Sequence, residues 1–115
     1  MTQKIMSAWK ITAASIAASE SFTSDALSIG RGENFGIAVT AITGTTPDYT
    51  ITYTASPTAD GTFISPDSNV ICANQDTTGI WFFTPMPTGY IKIVITNNSG
   101  ANAVVPTVIF NMQED

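Results

Sequence analysis

A strict two-residue alternation is the sequence feature that most constrains the fold of this chain. Within residues 49–55, Tyr49, Ile51 and Tyr53 occupy alternate positions and threonines occupy the positions between them. Successive side chains of a β-strand point to opposite faces, so this pattern predicts a strand with one buried face. The composition agrees, since the chain has eighteen threonines and fourteen isoleucines but a single leucine. β-Branched residues favour strands, whereas helix-rich domains favour leucine.

Further strands are predicted where short apolar runs lie between turn residues. These strands are residues 10–17, 22–29, 35–43, 63–64, 70–73, 80–84, 90–96 and 104–112. About eight short strands with turn signals every 8 to 12 residues or so predict an all-β fold. The architecture expected is an antiparallel β-sandwich, of jelly-roll or immunoglobulin-like topology. An alanine-rich helix over residues 9–18 is the alternative for the N-terminal part.

Two pairs of these strands are predicted to form hairpins. Residues 44–48 contain Gly44 and Pro47, which are turn residues, and they join two of the clearest strands. The turn cluster at residues 97–100 separates the last two apolar runs in the same way. We therefore expect the strands on either side of each turn to be antiparallel neighbours.

The length of the chain suits one domain, with no linker and no internal repeat. Its 115 residues are enough for a hydrophobic core without disulfides. We expect residues 9–115 to form a single β-sandwich domain. Residues 1–8 contain few groups that could pack, so we expect them to form an N-terminal arm that orders only against a partner.

The acidic charge balance restricts the partners. The formal net charge is −5, with only four lysines and arginines. Nucleic-acid binding depends on such cations to neutralise phosphates, so no nucleic-acid partner is expected. No apolar run approaches the roughly 18 residues of a membrane span, and Lys10 interrupts the stretch that could form a secretory signal. We expect synthesis in the cytoplasm and no membrane contact.

Side chains that most catalytic sites require are missing from the sequence. The chain has no histidine, and Cys72 is its one cysteine, which excludes Ser-His-Asp triads, Cys-His pairs and multi-cysteine zinc sites. Most of its nine carboxylates lie in predicted turns, where aspartate caps backbone amides. We expect no enzyme activity, no catalytic residue, no cofactor and no bound metal. A calcium site at residues 60–61 and 67–69 is the minor alternative.

Four aromatic residues are the candidate site residues: Trp9, Trp81, Phe83 and Tyr90. Aromatic side chains can fill a core, form a subunit interface or stack on sugar rings. Residues 80–84 are predicted to form a buried or nearly buried strand. Alternation puts Trp81 and Phe83 on one of its faces and Ile80 and Phe82 on the other. Both faces are apolar, so the alternatives are core packing alone, core packing with a subunit contact on one face, and a sugar platform.

Three segments occur in an order that matches a known group of proteins. They are SFTSDALSIG at 21–30, FGIAVTAITGTTPDYTITYTASPTADGTF at 35–63 and GYIKIVITNNSGANAVVPTVIFNMQED at 89–115. Each alone is a strand with a common turn, but their order and spacing resemble small virion structural proteins of tailed bacteriophages. The resemblance covers most of the chain from Phe22 onward, and the N-terminal segment departs from it.

Proteins of this group are single β-sandwich domains that decorate heads or join head and tail parts, often as trimers. The resemblance implies a non-enzymatic virion protein, a capsid decoration or accessory subunit. It further implies a homo-oligomer, preferably a trimer, that binds the phage shell or another virion protein. Packaged DNA would repel so acidic a chain, so we expect an exterior or inter-subunit position in the virion. The alternative is a carbohydrate-binding or host-recognition module that uses Trp81 or Tyr90.

Overall fold

The fold is all-β and antiparallel, as the alternation predicts. The computed structural model describes residues 5–12, 15–30 and 32–114. Within these ranges the strands are β1 Ile5–Thr12, β2 Ser21–Thr23, β3 Leu27–Ser28, β4 Gly32–Thr43, β5 Tyr49–Ser56, β6 Val70–Gln75, β7 Gly79–Phe83, β8 Tyr90–Asn97 and β9 Val105–Glu114. The described part contains no helix, and residues 9–12 of the helical alternative lie in β1. No helix among these residues is long and apolar enough to cross a membrane.

The strand order identifies the sandwich as a jelly roll. One sheet has the order β1-β9-β4-β7, and the other has β2-β8-β5-β6, with β3 also paired to β8. Strands β2 and β3 both pair with β8, so they act as two pieces of one strand. If β2 and β3 are counted as one strand, the sandwich has eight strands. Successive strands along the chain lie in opposite sheets, except for β5 and β6, which lie in the same sheet. An immunoglobulin-like sandwich is excluded, because its first two strands are neighbours in one sheet, whereas β1 and β2 lie in opposite sheets.

Both predicted hairpins are wrong. The strands on either side of residues 44–48, β4 and β5, lie in different sheets, and so do β8 and β9. Gly44 has φ 141° at the end of β4, a conformation that favours glycine, and there the chain leaves one sheet for the other. Alternation specifies which face of a strand is buried, but it does not specify the neighbouring strand, so it could not separate a hairpin from a crossing between sheets.

The N-terminal arm is also wrong for residues 5–8. They belong to β1 and pair with residues 111–114 of β9, so backbone hydrogen bonds order them within the single chain. Residues 1–4 of the predicted arm lie outside the described residues. The strand predicted at residues 10–17 therefore begins earlier and ends at Thr12, and Ile16 forms an isolated bridge with Val104.

The second predicted strand is interrupted at Ser24. The side chain of Ser24 is buried, and its hydroxyl accepts a hydrogen bond of 2.9 Å from the backbone N–H of Ile93. The Ser24 N–H still donates to the Ile93 carbonyl at 2.9 Å, but the acceptor for the Ile93 N–H is the Ser24 hydroxyl and not a backbone carbonyl, and the ladder is interrupted here between β2 and β3. Residues 22–29 consequently form two short strands with a gap between them.

The core lies between the two sheets. Ile51 and Tyr53 of β5 stand beside Ile95 and Ile93 of β8, and these four residues are at most 4% exposed. The opposite sheet contributes Phe110 of β9, which is fully buried. Its ring centroid lies 5.3 Å from that of Trp9, 6.3 Å from that of Phe35 and 6.2 Å from that of Phe83. Aromatic pairs at such distances add stability beyond simple area burial.

Candidate interaction surface

The outer face of the sheet β1-β9-β4-β7 is apolar toward one edge. Read from β7 to β1, one row across this face consists of Ile80, Ala38, Ile109 and Lys10. The neighbouring row consists of Phe82, Gly36, Asn111 and Ala8. Ile80 and Phe82, which we call the β7 ridge, are 70% and 84% exposed. Large apolar side chains exposed side by side are a common mark of an interaction site.

The other two side chains of β7 point inward and hold the strand in place. The Trp81 ring meets the Tyr49 ring edge-on, with 6.3 Å between centroids. The Phe83 ring lies 6.0 Å from the Phe35 ring and 5.8 Å from the Tyr53 ring. Because these contacts fix the inner face of β7 on the core, alternation leaves the β7 ridge in solvent. The prediction of a buried or nearly buried strand is therefore wrong for the single chain, in which the residues of β7 are half-buried or exposed.

The four predicted site residues do not come together. Trp81 and Phe83 lie on β7, at one edge of the first sheet, and Trp9 lies on β1, at the opposite edge. Tyr90 is in the second sheet, paired with Ser28 and Ser56. Trp81 and Phe83 are the predicted site residues on this strand, but the exposed pair is Ile80 and Phe82. Alternation predicts that Ile80 and Phe82 share one face of the strand. Because the other face is apolar too, alternation does not determine which of the two faces meets the core.

The outer face of the sheet β1-β9-β4-β7 has fewer charged residues than the loops. Lys10 is the single charged residue in the two rows given above, and neither row contains a carboxylate. Six carboxylates lie outside the strands, at Glu20, Asp25, Asp48, Asp60, Asp67 and Asp76. Glu33 lies in β4 between Gly32 and Asn34, where the register shifts. The acidity of the chain is thus concentrated in its loops.

The outer face of the second sheet is different in chemistry. Thr50, Thr52 and Thr54 of β5 are half-buried there, with Lys92 of β8 beside Thr54. The Lys92 ammonium lies 4.4 Å from the centroid of the Phe63 ring, which gives that ring a cation partner. Val70 of β6, which is 55% exposed, pairs with Thr52 on this face, and Ile64, which is 66% exposed, forms an isolated bridge with Ala55 at the edge of the same sheet. Val94 and Thr96 of β8 lie beside Thr52 and Thr50.

A cleft of about 760 Å³ opens at the edge of the sandwich opposite β7. It lies between β1 and the β2–β3 pair, where the interruption at Ser24 parts the two sheets. Trp9, Phe22 and Leu27 supply its apolar walls, and Lys10 and Asp25 are among its polar residues. Of the four predicted site residues, Trp9 alone is part of this cleft.

The buried ionisable groups are held in their neutral forms. Burial raises the pKa of the Tyr49 hydroxyl, and the nearby Cys72 and Asp76 raise it further. Burial also raises the pKa of the Cys72 thiol, and a backbone hydrogen bond at Ile51 opposes this shift in part. A thiol with a raised pKa is a poor nucleophile at neutral pH. The described residues contain no cluster of three or more histidine, cysteine, aspartate or glutamate side chains placed to hold a metal ion.

Comparisons with known proteins give a fold and no family. The sequence matches no protein-family model and no curated protein sequence. Among solved structures, the chain is similar to the crystal structure of SPBc2 prophage-derived protein YomS, with a TM-score of 0.57. The alignment covers 99% of this chain and 97% of that chain, at 15% sequence identity. The likeness therefore extends over the whole of both chains, and at this identity what they share is the β-sandwich fold.

Proposed function

We propose that this chain is a non-enzymatic structural protein of a tailed-phage particle, a capsid decoration or accessory subunit that acts by protein–protein contact. The observation that carries the proposal is the exposed β7 ridge on an outer sheet face whose two central rows have no carboxylate. A surface of this kind gains free energy when another protein removes it from water.

The fold supports this class of function. The jelly roll is an architecture used by viral capsid proteins as well as by lectins, so it permits the proposal without proving it. The similar solved structure comes from a prophage, and it matches along nearly its whole length. Together with the sequence resemblance to virion proteins, this likeness favours a phage particle over other settings.

Charge supports an exterior position. A chain of net charge −5 is repelled by the phosphates of packaged DNA. We therefore place the protein on the outside of the shell or between other virion subunits. The proposal includes self-association, with a trimer implied by the resemblance, and synthesis in the host cytoplasm before assembly.

Purified particles of the phage or prophage that encodes the chain test this proposal. Quantitative mass spectrometry of density-purified particles is expected to find the protein in a fixed ratio to the major shell protein. Immunogold labelling is expected to place it on the particle surface. Particles that lack the protein, when the lysate contains it in free form, would refute a structural role.

The cleft beside Trp9 supports one second candidate, a carbohydrate-binding or host-recognition module. An indole ring beside a polar residue such as Asp25 resembles the way proteins hold sugar rings. A glycan array tests it, with Trp9→Ala as the variant expected to lose any binding. Trp81 no longer supports this candidate, because its ring packs edge-on against Tyr49.

A further inference from the structure

The β7 ridge contains the two most exposed large apolar side chains among the described residues. We infer that the β7 ridge packs against the same ridge of further copies of this chain, so that self-association removes Ile80 and Phe82 from water. The inference rests on the proposed function and deepens it, because it names both the surface and the partner for self-association.

Charge favours an identical chain as the occupant. Each copy has a net charge of −5, so two copies repel one another unless they meet through a surface without carboxylates. The two rows of the outer face that include the β7 ridge contain no carboxylate, and Glu33 lies next to them, in a pocket that it shares with Phe82. A basic partner would instead be attracted to the acidic loops. Lys10 lies three strands away from β7, roughly 14 Å, so paired ridges keep the lysines of two copies apart.

The edge formed by β7 is less protected than the other sheet edges. Proteins shield exposed edges with lysines, bulges or very short strands. Strand β1 has Lys10, the pairing of β6 with β5 contains two register shifts, and β2 spans three residues. The five residues of β7 contain no charge or proline, and their pairing with β4 is regular. A copy that covers the β7 ridge also shields this edge.

The area of the face sets the strength of the contact. The four strands have 8, 10, 12 and 5 residues, a mean of nearly nine. At about 3.3 Å per residue and 4.8 Å between strands, the face measures about 29 by 19 Å, or about 550 Å² per copy. Two whole faces would bury about 1,100 Å², so a contact through the β7 ridge that leaves the Lys10 edge in water buries less than this, below the range of stable specific interfaces. We therefore expect reversible assembly that depends on concentration. The ridge can meet its counterparts across a twofold axis or around a threefold axis.

Sedimentation equilibrium of the purified full chain, from about 1 to about 100 µM, tests the inference. The native chain is expected to pass from monomer to a dimer or trimer within this range. The double variant Ile80→Thr with Phe82→Thr is expected to raise the concentration for half-assembly at least tenfold. The matched control is Ile64→Thr with Val70→Thr, which removes two comparably exposed aliphatic side chains from the other sheet and is expected to leave assembly unchanged.

Three outcomes would overturn the inference. They are a native chain that stays monomeric at about 100 µM, a ridge variant that assembles like the native chain, and a control that dissociates as much as the ridge variant. Circular dichroism checks that each variant is folded. If the double variant at Ile80 and Phe82 does not fold, the single variant Phe82→Lys is used in its place. A chain that is monomeric yet present in purified particles would refute this inference and the self-association in the proposed function, and would leave the role as a particle protein standing. A ridge-dependent oligomer that is absent from particles would refute that role and leave this inference standing.

Discussion

Replacing Asn97 with alanine is expected to destabilise the fold far more than the same change at Asn98. Asn97 ends β8 and is fully buried. Its side-chain amide donates hydrogen bonds to the carbonyls of Ile16, Ala17 and Asn102, at 3.1, 3.2 and 2.8 Å. Its side-chain oxygen accepts one of 3.0 Å from the N–H of Ser99. One side chain thus joins the second sheet to the segments that follow β1 and precede β9.

The size of the effect follows from which groups lose their partner. The Ile16 and Ala17 carbonyls also accept bonds from Val104 N–H and Glu20 N–H, so alanine leaves them satisfied. The Asn102 carbonyl and the Ser99 N–H depend on Asn97. A fully buried group left without a partner costs about 1–3 kcal/mol. Ser99 and Asn102 are half-buried, so the expected loss of unfolding free energy is about 2–4 kcal/mol, in the lower part of the range for two such groups.

Asn98→Ala is the matched control. The Asn98 amide is exposed and donates to Asp48, Thr50 and Asn74 at the surface, where water can replace it. We expect this variant to lose less than about 1 kcal/mol. Urea denaturation followed by tryptophan fluorescence gives both values. Equal losses in the two variants would show that Asn97 does not join the sheets in the way described.

Two further predictions concern alkaline pH and one glycine. The folded-state pKa values of Tyr49 and Cys72 lie above their ordinary values of 10.0 and 9.0, so the stability they contribute is present below pH 9 and is lost as pH rises. Urea midpoints are expected to fall between pH 8 and pH 11, and to fall less in Tyr49→Phe; an equal fall in that variant would exclude Tyr49 as a cause. Gly44→Ala is expected to cost more than about 1 kcal/mol, because its φ is 141° and a Cβ would lie 2.7 Å from the Ala103 carbonyl oxygen. Gly100→Ala, which meets nothing within 4 Å, is expected to change stability by less than about 0.5 kcal/mol in the same denaturation assay.

The strands could be predicted from sequence because their signal is local. Residues 49–55 and 90–96 were predicted within one residue of β5 and β8, since alternation and β-branched side chains act within each segment. The pairings could not be predicted, because β1 meets β9 and β4 meets β9 across most of the chain. Pro106 predicts an edge strand or a bulge. Strand β9 is not an edge strand, since it lies between β1 and β4, but its pairing with β4 has a register shift beside Thr107.

The candidate surface was predicted in part. Both faces of residues 80–84 are apolar, which left core packing alone, a subunit contact and a sugar platform as alternatives. The face that meets the core depends on Tyr49 and Phe110, which are distant in sequence. The cleft beside Trp9 depends on the interruption at Ser24, where a serine hydroxyl meets Ile93 N–H. A lone serine within an apolar run carries no signal for such a gap.

Hydroxyl-radical footprinting reads side-chain exposure and tests the central claim most directly. In the single chain Phe82 is 84% exposed and Ile64 is 66% exposed. Between about 1 and about 100 µM, we expect oxidation of Phe82 and Ile80 to fall several-fold while oxidation of Ile64 stays constant. Oxidation of Phe82 at the same rate across this range would contradict the claim that further copies of the chain cover the β7 ridge.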